Sequence, residues 1–356
     1  MSKIVTLPVP NRIESLEARL SALLDIFATH RRFGDDVYWL KENAEVLNIL
    51  ETTGQQVDHL LAPHADFYAG LEDRFAFFPQ YYRFFLSIAL DLEDLGMPGD
   101  VSERLIDRAI SDDLVRAELS DLQRAEASRL MARRGRDPLP QDPGLTDRLH
   151  GFIGNSRAFA LPNKKAAYEL THIVFYLSEY GRRDPGLSEE AMTSLEHAGM
   201  LAFLDQNVDL MAEICISMVW AGRTPPAAWT DWVLAEMRAF ELTEGDAISI
   251  QDDYHTYLMC NWFAAIKGLE PFRKSLNNSR VRFDRVQSGV APLRQMSECM
   301  YQMGQGRSAN WSAMRRSVEQ WLSPEALNLL HLAETSCDGF DRFFEGFSRA
   351  ARTGSV

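Results

Sequence analysis

Residues 168–185 read YELTHIVFYLSEYGRRDP, an apolar helical run that stops at Gly181 and is followed by Pro185. Glycine adopts the left-handed conformation that caps a helix, and a proline placed soon afterwards cannot continue the helix. The same ending recurs at intervals of 38 to 46 residues, at Gly54, Gly96, Gly135, Gly222, Gly268 and Gly306. A proline closely follows five of the seven glycines, at Pro98, Pro138, Pro185, Pro225 and Pro271.

An interval of about 42 residues accommodates two helices of about 15 residues with their connections, which is the period of a helical hairpin array. Alternating segments that indicate strands are nearly absent, whereas apolar residues recur every three or four positions from Tyr81 to Leu95. The sequence therefore predicts an all-α protein of repeated helical hairpins, with at least a dozen helices. The number of hairpins favours closure into an α/α toroid, and an open α-solenoid is the alternative.

The repeat crosses a loop rich in proline and glycine at 133–144 without losing its period. We therefore expect one helical-repeat domain over 1–348 and a disordered tail over 349–356. Two further loops are expected, at 156–165 and at 269–282.

The composition excludes several classes of protein. The 356 residues include 37 Lys and Arg against 51 Asp and Glu, a net charge of −14, so no nucleic-acid partner is expected. The first ten residues lack the apolar core of a secretory signal, and no apolar stretch is long enough to span a membrane. The four cysteines are far apart and form no CxxC pair, which predicts reduced thiols in a cytoplasmic protein.

If the seven glycines mark equivalent helix ends, residues counted back from them occupy equivalent positions. Positions nine and thirteen residues before each glycine are about one helical turn apart, so the two rows of residues at these positions lie on one helix face. The row nine residues back is Glu45, Ser87, Glu126, His172, Glu213, Met259 and Ser297. The row thirteen residues back is Lys41, Arg83, Leu122, Tyr168, Asp209, His255 and Leu293. The apolar residues expected to pack against neighbouring helices lie at other positions: Phe175, Leu177, Leu210, Ile214, Leu258 and Trp262.

A polar face on such apolar helices is unusual, because buried polar groups cost free energy unless they are paired or liganded. Three successive helices supply the strongest set, His172, Asp209, Glu213 and His255. We expect these side chains to converge within roughly 10 Å, where imidazoles and carboxylates would suit Zn or a non-haem Fe or Mn. The same groups could instead serve as general acid and base without a metal.

Several neighbours complete the candidate site. Tyr168 and Tyr254 join the two histidines as candidate catalytic residues, with Tyr176 helping to orient them, and Lys41 and Arg83 would bind an anionic substrate group. The alternative is that the histidines are hydrogen-bonded core residues and that the glutamates pair with these cations. Asp252 and Asp253 resemble the aspartate-rich motif with which isoprenoid synthases hold magnesium and diphosphate, but the later aspartate is missing. The chain contains no P-loop, GxSxG or HExxH motif.

The chain resembles bacterial all-α families whose domains have no assigned function, of a type associated with alphaproteobacteria. The resemblance depends on YELTHIVFYL (168–177), DLxxE (209–213), YHT (254–256), WLKENAE (39–45) and FFPQYY (77–82). It implies no substrate. At the level of fold, the pattern is similar to α/α toroid enzymes such as prenyltransferases, terpene cyclases, glycoside hydrolases and polysaccharide lyases. Zinc prenyltransferases use Asp, Cys and His ligands, and this chain has no cysteine at the matching place.

Two functions follow as hypotheses. In the first, the protein is a toroid enzyme, with or without a divalent metal such as Zn, that acts on a small molecule or modified peptide in its central cavity. In the second, it is a non-catalytic scaffold that binds a peptide or partner protein on a concave face.

Overall fold

The computed structural model describes residues 14–32, 36–245, 247–277, 279–285 and 289–350. The described residues form eighteen α-helices and one two-stranded antiparallel sheet, which confirms the predicted all-α class. The helices are α1 Leu16–Asp25, α2 Val37–Thr52, α3 Ala65–Ala69, α4 Leu71–Phe77, α5 Tyr82–Asp94, α6 Val101–Ser111, α7 Asp121–Ala132, α8 Leu145–Ile153, α9 Ser156–Phe159, α10 Lys164–Leu177, α11 Glu189–Leu204, α12 Val208–Trp220, α13 Ala227–Ala239, α14 Tyr254–Ile266, α15 Pro292–Met303, α16 Trp311–Glu319, α17 Pro324–Ser336 and α18 Phe340–Phe347. The strands are β1 Glu241–Glu244 and β2 Val281–Asp284, with Glu241 opposite Asp284.

Local sequence explains where these helices begin and end. Asp36 and Asn207 begin α2 and α12 with side chains that accept hydrogen bonds from the first turn. At the other ends, six of the seven selected glycines have φ between +66° and +110°, which only glycine adopts without strain. These six are Gly54, Gly96, Gly135, Gly181, Gly222 and Gly268.

The seventh glycine was assigned wrongly. Helix α15 ends at Met303, and Gly304, with φ +51°, adopts the left-handed conformation. Gly306 instead ends a short 3₁₀ turn and has no positive φ. Two glycines lie close together here, and the chain uses the first of them to leave the helix. The row positions derived from Gly306 therefore do not correspond to those of the other helices.

Six helices, α2, α5, α7, α10, α12 and α14, pack against one another in that order, and α14 also packs against α2. We call these six the central helices. Side-chain hydrogen bonds between neighbours in the set join residues 41 to 46 positions apart, among them Tyr168 to Asp209 and Asp209 to His255. Corresponding turns of neighbouring helices are therefore level with one another, as parallel helices require. The intervening α6, α11 and α13 pack against the central helices.

A buried arginine joins the first central helix to the last. The Arg31 guanidinium is fully buried, with Nε 3.0 Å from Glu42 Oε2 on α2 and Nη1 2.8 Å from Asp252 Oδ2, just before α14. Asp252 Oδ2 also accepts a hydrogen bond from the Phe283 backbone at 2.9 Å. Asp252 therefore has a structural partner, and the resemblance to a diphosphate-binding motif finds no support in its surroundings.

One continuous apolar core extends from Leu20 to Phe347 and includes the C-terminal helices α15–α18. The loop expected at 133–144 lies between α7 and α8, whereas the one expected at 156–165 contains the short helix α9. The loop expected at 269–282 includes the first residues of β2. Most of the predicted tail, residues 351–356, lies outside the described residues. Among the described helices, none combines the length and the apolar character needed to cross a bilayer.

Candidate functional site

The central helices surround a cavity of about 330 Å³. Six of the seven residues counted nine positions back from the glycines line this cavity: Glu45, Ser87, Glu126, His172, Glu213 and Met259. From the row thirteen positions back, the cavity is lined by Lys41, Arg83, Leu122 and His255. The two residues derived from Gly306 lie on α15, outside this cavity, and Leu293 lines a different one.

Two residues assigned to packing line the cavity as well. Phe175 and Trp262 are buried and form an aromatic wall with Tyr180, whose ring lies 5.7 Å from that of Trp262. Trp220 packs against this group at 5.0 Å from Phe175. The face that lines the cavity is therefore wider than the two polar rows. It also includes apolar residues that lie one helical turn beyond them. Sequence reasoning missed this wall because aromatic residues at helical spacing also fill ordinary cores.

Asp209 and His255 form a close charged pair in the site. His255 Nδ1 lies 2.7 Å from Asp209 Oδ1, and the Tyr168 hydroxyl donates to Asp209 Oδ2 at 2.7 Å. Tyr168 and Asp209 do not line the cavity themselves, but they hold the imidazole that does. The other nitrogen of His255, Nε2, lies 3.7 Å from Glu45 Oε1. The pair therefore fixes the imidazole by one nitrogen and places the other beside a second carboxylate.

Glu213 lies one turn from Asp209 on α12 and is almost fully buried. The Thr171 hydroxyl donates to Glu213 Oε2 at 2.5 Å, and His172 Nδ1 lies 3.7 Å from the same oxygen. One ligand atom from each of Asp209, Glu213 and His255 can be chosen so that all three lie within 4.8 Å of one another. Three of the four predicted metal ligands thus converge on one point.

The fourth predicted ligand, His172, stands beside this group. Its Nδ1 lies 2.8 Å from the Tyr168 carbonyl oxygen, which can only accept, so Nδ1 carries a proton. Its Nε2 is then the nitrogen that remains for a ligand or a proton transfer, and the ring lines the cavity. Tyr176 contacts it edge to face at 6.1 Å. Tyr254 lies against Arg31, 5.1 Å from the guanidinium, and does not line the cavity.

The pKa values of His255, Asp209 and Glu213 are displaced from their ordinary values. Burial disfavours the charged imidazole of His255, but the carboxylates of Asp209, Glu45 and Glu213 together outweigh burial and raise its pKa to about 10. Burial opposes ionisation of Asp209, yet the attraction of His255 lowers the pKa of Asp209 below its usual value. Burial dominates at Glu213 and raises its pKa. Burial therefore makes Glu213 harder to ionise, even though the imidazoles of His172 and His255 both favour its charged form.

The two cations expected to bind an anionic substrate both have protein partners. Arg83 Nε donates to Glu118 Oε1 at 2.9 Å, and Arg83 Nη1 donates to Glu126. Lys41 Nζ lies 3.8 Å from Glu45 Oε1 and is half exposed. Glu45 Oε2 is buried and has no hydrogen-bond partner in the described part of the chain. Glu45, which lines the cavity, thus has one buried oxygen without a hydrogen-bond partner, whereas Arg83 is paired with two glutamates.

Comparison with known proteins assigns this chain to a family. A family model described as a domain of unknown function, DUF6902, matches residues 1–350. The chain belongs to the DUF6902 family. No curated protein and no solved structure matches the DUF6902 chain at the threshold of significance. The family membership thus covers the entire fold described above and brings no substrate or reaction with it.

Proposed function

We propose that this DUF6902 protein is an enzyme that holds a divalent metal ion, such as Zn²⁺, with Asp209, Glu213 and His255 and acts on a small molecule in the central cavity. The observation that carries the proposal is the convergence of one ligand atom from each residue within 4.8 Å. Two of the three ligands are also oriented by a hydroxyl group, Asp209 by Tyr168 and Glu213 by Thr171. Such supporting hydrogen bonds are typical of metal sites in proteins.

The electrostatics of the cluster support a cation at this place. A proton on His255 compensates part of the carboxylate charge, since its pKa is raised to about 10, and burial raises the pKa of Glu213 as well. A divalent ion would replace the proton of His255, because metal ligands bind in their deprotonated forms. It would supply a Lewis acid or an activated water molecule. His172, with Nε2 left to accept a proton, is the candidate base beside it.

The packing of α14 against α2 supports a closed α/α toroid as part of the proposal. A closed ring around about 330 Å³ suits a small molecule or one side chain of a modified peptide. The alternative scaffold function would need an open concave face long enough for a peptide or partner protein. The cytoplasmic location also stays within the proposal, supported by four cysteines that are all unpaired.

Calorimetric titration of the metal-free full chain with Zn²⁺ at pH 8 tests the proposal. We expect one saturable site, with affinity at least about tenfold weaker in His255→Ala and in Asp209→Asn. His331→Ala is the matched control, because His331 pairs with Glu319 away from the cavity and its loss should leave affinity unchanged. If the wild type does not bind Zn²⁺, or if His255→Ala binds it equally well, the proposed metal site is refuted. The hypothesis that remains is acid–base chemistry by His255 and His172.

A proton count gives a second readout. At pH 8 the imidazole of His255, with a pKa of about 10, must lose its proton when the metal binds. Titrations in two buffers of different ionisation enthalpy should therefore show the release of about one proton per Zn²⁺. Binding without proton release would mean that the ion occupies other residues.

A further inference from the structure

A second cavity, of about 220 Å³, shares Tyr176 with the central one. It lies between α7, the loop that follows α7, α8 and the end of α10. Its charged lining consists of three arginines and two carboxylates, Arg129, Arg136, Arg183, Asp137 and Glu179. A net positive lining is notable in a chain whose net charge is −14. We call it the arginine cavity.

Arg129 is the central feature of the arginine cavity. Its side chain is only 5% exposed, and within the described part of the chain neither Nε nor Nη2 has a hydrogen-bond partner. The nearest carboxylate oxygen, Glu179 Oε2, lies 3.4 Å from Nε without forming a hydrogen bond. The guanidinium rests on the ring of Tyr180, 4.2 Å from its centre. A buried guanidinium with unused donors is costly unless an acceptor binds there.

The neighbours of Arg129 add further donors. Ser128 Oγ is buried and also has no hydrogen-bond partner among the described residues. Arg183 donates from Nε to the Leu177 carbonyl oxygen at 2.8 Å, and its Nη2 lies 3.9 Å from Glu179 Oε1. The Asp137 carboxylate already accepts from the Leu139 backbone at 2.9 Å. The arginine cavity thus combines two unsatisfied buried donor groups with a second guanidinium at its edge.

We propose that the arginine cavity binds the oxyanion group, phosphate or carboxylate, of a small molecule, with Arg129 and Ser128 as hydrogen-bond donors and Arg183 as an additional charge. The planar fork of a guanidinium matches two oxygens of such a group, and charge-assisted hydrogen bonds of this kind are among the strongest in proteins. This site depends neither on the metal nor on the function proposed above.

Calorimetry of the full chain with inorganic phosphate and, separately, with acetate tests this site, at constant ionic strength maintained with chloride. We expect saturable binding of at least one of the two anions. Binding of phosphate alone assigns a phosphate group, and binding of acetate alone assigns a carboxylate. Arg129→Gln should weaken binding by about tenfold or more, and Ser128→Ala by about threefold. Arg108→Gln, which removes an exposed arginine of α6 that is paired with Asp112, is the matched control and should bind like the wild type.

The proposal is overturned if neither anion saturates the wild type or if Arg129→Gln binds as the wild type does. Circular dichroism first establishes that each variant is folded. If Arg129→Gln does not fold, the double variant Ser128→Ala with Arg183→Gln decides the matter. Weakened binding by that variant supports the site, and unchanged binding refutes it.

Discussion

Replacing Asp209 with Asn should lower the pH at which His255 loses its proton. In the wild type, the difference between a pKa of about 10 and the ordinary 6.5 corresponds to about 5 kcal/mol, at about 1.4 kcal/mol per pH unit. Asp209 acts both as the nearest opposite charge and through its 2.7 Å hydrogen bond. Asparagine keeps the shape and can still accept from Tyr168, but it carries no charge. We expect the pKa of His255 to fall by at least about 2 pH units.

A proton NMR titration of the imidazole Hε1 signals between pH 5.5 and 10.5 measures this change, with His255→Gln identifying the signal. His197 is the internal control, because burial lowers its pKa and its partner is the Ser156 carbonyl oxygen, remote from Asp209 in sequence and hydrogen bonding. Its titration should coincide in the two proteins. A wild-type His255 that titrates below pH 7, or one that titrates identically in Asp209→Asn, would refute the electrostatic reasoning.

The same change should alter how stability depends on pH. A raised histidine pKa stabilises the folded state fully below pH 6.5, and that stabilisation is lost as pH rises through about 10. The free energy of unfolding of the wild type should therefore fall by up to about 5 kcal/mol over this range. Urea unfolding of Asp209→Asn should show a much smaller fall, so the difference between the two proteins should be largest near pH 6. A constant difference between pH 6 and 10 would contradict the assignment.

Three further predictions concern the fold, and urea unfolding measures all of them. Gly222→Val should lower the free energy of unfolding by about 1 kcal/mol or more because φ is +71°, whereas Gly306→Val, where φ is not positive, should cost less; equal losses would mean that Gly222 does not cap α12. Arg31→Met should cost about 3–5 kcal/mol, since it leaves the buried Asp252 carboxylate without its cation and Glu42 with Arg32 alone; a loss below about 1 kcal/mol would contradict that role. Gly199→Ala should cost about 1–3 kcal/mol, because its Cβ would lie 2.3 Å from the Trp229 ring; an unchanged midpoint would show that the indole moves aside.

Much of the fold could be predicted from glycine alone. A helix that must end before the chain turns back needs a left-handed residue, and six of seven selected glycines have that conformation. The prediction that Gly306 ends a helix was wrong, because Gly304, two residues earlier, provides the positive φ at the end of α15. Gly181 ends its helix less directly, since Glu179 and Tyr180 before it are also left-handed. A periodic signal thus locates helix ends to within a few residues, and closely spaced candidates need the structure to decide between them.

The candidate site was predictable in part for the same reason. Counting back from a helix end fixes the face of a residue, and the six correct glycines lead to residues that line or support one cavity. Counting cannot reveal partners on other helices. Arg83 meets Glu118 and Glu126, which lie 35 and 43 residues away, and that pairing depends on how neighbouring helices are aligned. The aromatic wall of Phe175 and Trp262 was assigned to packing because periodicity alone does not separate a cavity wall from a core.

The distribution of charge around the cavity differs between the residues proposed to be functional and those that have structural partners. Six parallel helices that turn polar side chains towards one another must neutralise them, since buried unpaired charges are costly. On the α5–α7 side, Arg83 pairs with two glutamates, and this pairing is a sufficient structural reason for the three charged groups. On the side of α10, α12, α14 and α2, the carboxylates of Asp209, Glu213 and Glu45 lie near two imidazoles, His172 and His255, and a half-exposed lysine, and one Glu45 oxygen has no hydrogen-bond partner among the described residues. Asp209, Glu213 and His255 lie on this side of the cavity, so the proposed cation or proton transfer is assigned to them and not to the groups around Arg83.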